Sequence, residues 1–164
     1  MTLFTLMLSG VLALGGLVGA PEGHRPAEGA GLKFSVPKEA MVTSQKSGED
    51  VGIVAVSWGE EVLLITVYEG DKRPRPRRAY EVHLEELERR VKDGGRIFRK
   101  DFSWKMLGKR RRGVELRYRL DGRWMVTHIL SAKARKRTLV AVWTRPVGSG
   151  DSFAAQLLKR MYFK

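Results

Sequence analysis

The chain has no cysteine and only three histidines in 164 residues. Without cysteine there is no disulfide, no thiolate nucleophile, no thiolate metal site and no residue to carry an N-terminal lipid. His24, His83 and His128 are far apart in sequence. His83-x-x-Glu86 would place two donors on one helical face, but no third donor follows at ligand spacing. There is no P-loop, no GxGxxG, no nucleophile motif and no organised pair of carboxylates for acid/base work. The reading is therefore not an enzyme, with no catalytic residue, no metal site and no cofactor. Acidic residues are also comparatively few: 18 Asp and Glu stand against 31 Lys and Arg, a formal charge of +13. An excess of that size favours polyanionic partners.

Long apolar runs are absent except for Leu3 to Val18. That run is short of the roughly 20 residues a spanning helix needs. With Val18-Gly19-Ala20 behind it, residues 1–20 are expected to be a signal peptide or an uncleaved N-terminal anchor. The expected address is therefore exported, periplasmic or extracellular. Residues 21–31 (PEGHRPAEGAG) lack apolar periodicity and are expected to be a flexible linker. Residues 32–164 are expected to form a single α+β domain.

The clearest pattern is Val114 to Thr144. Val114, Leu116, Tyr118 and Leu120 alternate with Glu115, Arg117 and Arg119, the period of a half-buried strand. Asp121-Gly122 suits a type I′ hairpin turn, which needs φ > 0 at both central residues. Arg123 to Ala132 and Thr138 to Thr144 supply the next two strands. Upstream, Leu32 to Pro37 predicts a short strand and Lys38 to Asp50 a polar, turn-rich stretch. Val51 to Trp58 and Val62 to Tyr68 form a hairpin around Gly59-Glu60-Glu61. Ile53 and Ala55 make one of its faces apolar and Val54 and Val56 the other, so the sheet is expected to be covered on both sides. Gly70 to Arg78 reads as a loop stiffened by Pro74 and Pro76. Ala79 to Asp93 reads as a helix with the stripe Tyr80, Leu84, Leu87, Val91, stopped by Gly94-Gly95. Arg96 to Leu107 predicts a strand with a bulge near Arg99 to Asp101, and Gly108 to Gly113 the turn after it. Asp151 or Ser152 is expected to cap a last helix with the stripe Phe153, Leu157, Met161. Trp58, Trp104, Trp124, Trp143, Phe98 and Phe102 are read mainly as core, with Trp58, beside a turn, the exception.

Strand, hairpin, helix, four-strand meander, helix is an order that resembles the PsbP-like superfamily, with its Mog-type and DcrB-like proteins. The resemblance rests on Phe34-x-Val36-Pro37, the helix ending in Gly-Gly before Arg96-Ile97-Phe98, the Gly113-Val-Glu-Leu-Arg-Tyr118 meander and the terminal apolar helix. It implies an antiparallel sheet of about six to seven strands, ending in a four-strand meander and flanked by helices as a sandwich. It also implies binding, assembly or chaperone-like roles.

In a meander, alternate turns share an end of the sheet. Three basic segments are therefore expected to converge as an anion-binding pole: Lys72, Arg73, Arg75, Arg77 and Arg78; Lys109, Arg110, Arg111 and Arg112; Lys133, Arg135, Lys136 and Arg137. The function expected is an exported, non-enzymatic binding or assembly protein whose basic pole meets an anionic membrane surface or an acidic protein. No small-molecule substrate is inferred. The alternatives are a nucleic-acid-binding module and a secretion chaperone that holds an apolar segment in a groove lined by Trp58 or Tyr68.

Overall fold

The computed structural model describes residues 23–91 and 96–164. The expected segment 1–20 and the Gly94-Gly95 helix stop lie outside the described residues. Ten strands and two helices follow in the order β1 His24–Gly29, β2 Leu32–Pro37, β3 Met41–Lys46, β4 Val51–Trp58, β5 Glu61–Tyr68, α1 Pro76–Val91, β6 Phe98–Met106, β7 Lys109–Leu120, β8 Arg123–Ala134, β9 Arg137–Pro146, α2 Phe153–Arg160 and β10 Tyr162–Phe163. The main sheet has seven antiparallel strands in the order β3-β4-β5-β9-β8-β7-β6. A second sheet, β1-β2-β10, is also antiparallel. The architecture is a sheet-dominated α+β fold with few helices.

The four-strand meander β6 to β9 is present. Its Asp121-Gly122 turn has φ of 48° and 80°, as a type I′ hairpin requires. Both faces of the β4–β5 hairpin are buried at Ile53, Val54, Ala55 and Val56. One layer of core lies between α1 and the meander, where Leu84 and Val91 meet Leu116, Ile129 and Val140. The other lies between the main sheet and the layer formed by the second sheet and α2. There Phe34, Val36, Leu157 and Leu158 meet Val54, Ile65, Leu139 and Trp143.

Five expectations are corrected. Residues 24–29 are a strand and not linker: β1 pairs along β2 through a turn at Ala30 and Gly31, both at positive φ. Proline is tolerated there because β1 is an edge strand. The polar stretch 38–50 contains β3, the edge of the main sheet. α1 begins at Pro76, because the first helical turn has no use for the N–H that proline lacks, so Arg77 and Arg78 are helical. β6 carries no bulge: its register with β7 runs unbroken from Phe98↔Arg117 to Met106↔Lys109. Phe98, Phe102, Trp104 and Met106 share one parity, and the apparent slip comes from Ile97, which precedes the strand. Finally, the turn after β6 is only Leu107-Gly108, at φ of 52° and 75°, so Lys109 to Arg112 are the first residues of β7.

Candidate functional site: a basic end and an apolar groove

Strand directions define two ends of the main sheet. The Gly108 end holds the β6–β7 turn, the β8–β9 turn at Arg135-Lys136 and the exit of β5 at Tyr68. The Asp121 end holds the β7–β8 and β4–β5 turns and the start of β6.

The segment before α1 is tied to the Gly108 end, because Thr138 Oγ1 donates to Pro74 O at 2.7 Å. That bond brings Lys72, Arg73, Arg75, Arg77 and Arg78 beside Lys133, Arg135, Lys136 and Arg137. The third segment behaves differently. The β7–β8 ladder stops at Gly113↔Leu130. A Cβ on Gly113 would stand 1.9 Å from Ile129 O, a contact only glycine permits. Beyond it the β6–β7 hairpin leaves β8 and packs towards α2, where Trp104 Nε1 donates to Ala155 O at 2.8 Å. Lys109, Arg110, Arg111 and Arg112 thus share the end of the sheet but lean to the α2 side.

Several of these cations have structural partners. Arg137 pairs with Glu69 at 2.5 Å and lies 4.6 Å over the Phe163 ring. Arg73 donates to Gly70 O at 2.7 Å and Arg110 to Ser103 Oγ at 2.9 Å. Arg77 and Arg78 sit in the first turn of α1, the wrong end of the helix dipole for a cation. Arg77 pairs with Glu81 at 2.9 Å, and Arg78 lies 3.9 Å from Glu81 and Glu85. Arg111 is half-buried, with its Nε unpartnered. Lys72, Arg75, Lys109, Arg112, Lys133, Arg135 and Lys136 are exposed and make no ion pair among the described residues.

At the Asp121 end a groove of about 840 Å³ opens between β2, the β4–β5 turn, the loop before α2 and α2 itself. Trp58, Phe153, Leu157 and Pro37 make it apolar, while Glu39 and Asp151 bring charge to its lining. Trp58 meets Phe153 edge-on at 6.0 Å. The Ser35 Oγ in its wall is buried without a partner. Apart from the half-exposed Trp58, the lining could not be read from the sequence, since it comes from four separate segments.

The aromatic residues divide by place. Trp143 is buried, and Phe102 and Trp104 pack against the core. Phe98 and Trp124 are exposed, so the reading of both as core is corrected: each stands at the Asp121 end of its strand. His128 is buried and stacks on Trp143 at 4.7 Å, and its Nε2 lies 3.1 Å from Glu115 Oε2. Burial holds the His128 pKa below its ordinary value, and Glu115 opposes that shift without reversing it. Burial alone would raise the Glu115 carboxyl, but hydrogen bonding and charge from Arg117, then His128, hold it below the usual range. A neutral imidazole that donates from Nε2 to an ionised carboxylate satisfies both directions. His83 Nε2 lies 3.3 Å from the Tyr68 hydroxyl, and burial lowers its pKa too. Glu86 instead pairs with Arg89 and Arg90, so the two side chains of His83-x-x-Glu86 have different partners.

No protein-family model and no curated protein matches the chain. Solved structures do. One from Bacteroides thetaiotaomicron is 12% identical, with a TM-score of 0.52 over 82% of this chain and 46% of that one. LpqN, involved in cell envelope biogenesis of Mycobacterium tuberculosis, is 10% identical, with a TM-score of 0.47 over 86% of this chain and 90% of LpqN. PA94 of Pseudomonas aeruginosa, a protein of unknown function, is 12% identical, with a TM-score of 0.35 over 74% of this chain and 82% of PA94. The chain spans about half the length of the Bacteroides protein and shares its fold. Among the described residues no helix is long and apolar enough to cross a membrane.

Proposed function

We propose that this chain is an exported, non-enzymatic binding or assembly protein of PsbP-like type whose Gly108 end captures an anionic partner. The carrying observation is the set of seven exposed cations there without an ion pair: Lys72, Arg75, Lys109, Arg112, Lys133, Arg135 and Lys136. Cations crowded together without counter-charge repel one another, a cost that an anionic partner relieves. By contrast, Arg123 at the opposite end is held by Glu60 through two hydrogen bonds of 2.5 and 3.1 Å. The two-layer arrangement about an antiparallel sheet supports the PsbP-like reading, as does the opening Phe34-x-Val36-Pro37 strand.

The test is binding of the purified chain to anionic vesicles, DNA and an acidic glycan, beside a variant with all seven cations changed to Gln. The expected result is polyanion binding that the variant loses. Equal binding by both proteins would remove the basic end from the account. A marked preference for DNA would favour a nucleic-acid module instead.

A second reading has its own observation, the groove with Trp58 in its wall. It supports a chaperone that holds an apolar segment. Trp58→Ala should then weaken binding of an apolar peptide by about thirtyfold, the effect of losing an aromatic anchor that contributes about 2 kcal/mol. Unchanged affinity would count against the groove as the site.

A further inference from the structure

The nine exposed large apolar side chains among the described residues are not scattered. Seven stand at the Asp121 end of the main sheet, one for each strand. β3 contributes Met41, β4 Trp58 and β5 Val62. β6 contributes Phe98, β7 Leu120 and β8 Trp124, while Val147 directly follows β9. These seven are 40 to 65% exposed. The other two, Val82 and Tyr162, belong to α1 and β10. No strand of the main sheet carries one at its Gly108 end.

The seven form the rim of an end and not a patch on one face. By the pairing register, Met41, Val62 and Leu120 face the α1 side and Trp58, Phe98 and Trp124 the α2 side. Part of the rim is joined by contacts. Phe98 and Trp124 are 5.9 Å apart, Val147 N donates to Trp124 O at 2.9 Å, and Arg123 reaches across to Glu60 in the β4–β5 turn. Large apolar side chains gathered at one end of a sheet point to a contact there, because singly exposed ones are ordinarily scattered over the surface.

A second observation points to the same end. The chain enters the fold there: His24 pairs with Pro37, Lys38 N donates to Gly23 O at 3.1 Å, and Gly23 lines the groove with Trp58. The apolar run Leu3 to Val18 ends five residues before Gly23. Five residues reach about 18 Å at most, so with residues 1–20 read as an uncleaved anchor the bilayer that holds that run lies within reach of the rim. Tryptophan and phenylalanine beside arginine suit the headgroup boundary of a bilayer. Arg96 lies 5.1 Å over the Phe98 ring, and Arg119 is the cross-strand partner of Trp124. Asp121 and Asp151 at this end keep the contact shallow, since carboxylates are excluded from the acyl core.

We propose that the Asp121 end is a bilayer-docking edge, with the seven-residue rim seated at the headgroup–acyl boundary. The Gly108 end then points away from the membrane and presents its cations to a partner on the far side. This orientation leaves the basic end an anionic partner other than the bilayer on which the rim docks.

Because the chain has no cysteine, single cysteines report each end separately. The full chain is labelled with a fluorophore at Leu120→Cys, Val147→Cys or Lys136→Cys and reconstituted with phosphatidylcholine vesicles, which carry no net charge to draw the basic end, with a headgroup-depth nitroxide quencher. Strong quenching is expected at 120 and 147 and little at 136. The rim is separated from mere tethering by adding Phe98→Ser and Trp124→Ser to the Val147→Cys chain, which should lose most of its quenching. Equal quenching at 136 and 147 would overturn the proposal. Quenching at 147 that survives the polar rim would overturn it too, and would leave the rim to a protein partner.

Discussion

Gly113 decides where the β6–β7 hairpin goes. A methyl group there would meet the Ile129 carbonyl, so Gly113→Ala should cost about 3 kcal/mol, the upper end of the usual cost of forcing extra volume into a packed site. Gly122→Ala, at φ 80° with open space around it, should cost about 1–2 kcal/mol from backbone strain alone. Chemical denaturation of the two variants checks that order. The Gly122 turn was legible from Asp121-Gly122, whereas Gly113 reads as the end of a turn and only the three-dimensional ladder reveals it as a crossing point. At the same scale, His83 and His128 have pKa values held below the ordinary 6.5 by burial. The unfolded chain therefore binds more protons than the folded one between the folded pKa and about 6.5. The stability they contribute is complete above about pH 6.5 and is lost as pH falls through that value towards the folded pKa. Melting temperature should drop between pH 7.5 and 5.5, and the drop should shrink in His83→Gln with His128→Gln. An equal drop in that variant would place the pH dependence elsewhere.

At the scale of elements, α2 shows how a short helix is held. Ser152 is its N-cap, and its Oγ accepts from Ala155 N at 3.1 Å. The same hydroxyl donates to the buried Glu61 carboxylate, which also accepts from Phe153 N at 2.9 Å. A carboxylate at a helix N-terminus complements the dipole. Ser152→Ala should cost about 1 kcal/mol, and Glu61→Ala about 2 kcal/mol because a charged acceptor is lost from a buried site. Since the two side chains share one network, the double variant should cost less than the sum in a denaturation series. The cap was legible, because Ser152 precedes an apolar stripe; Glu61 was not, because it arrives from ninety residues away. Periodicity also made the meander, the β4–β5 hairpin and both helices readable. β1 was hidden, since an edge strand that starts with His-Arg-Pro has no alternation strong enough to separate it from a linker.

At the scale of the whole molecule, the two ends of one sheet differ in chemistry. Among the described residues, seven exposed cations without an ion pair gather at the Gly108 end and seven exposed apolar side chains at the Asp121 end. The basic end was legible as connectivity: alternate turns of a meander share a side, and the helix before the meander, running antiparallel to the strand that follows it, must start there. Its shape was not, because the departure of the β6–β7 hairpin at Gly113 has no signature in spacing. The apolar rim escaped because Val62, Phe98, Leu120 and Trp124 stand at the ends of strands whose alternation looks like core, and Met41 lies in a stretch that reads as turn.

The most direct test of the basic end is the salt dependence of binding to a polyanion. Plotted as log affinity against log salt for DNA, each neutralised phosphate contributes a slope of about −0.9. The account predicts a steep negative slope for the native chain and a slope reduced by several units in the variant with the seven cations changed to Gln. Superimposable slopes would contradict it, and would make the charge of this chain a property of its solvation and not of its function.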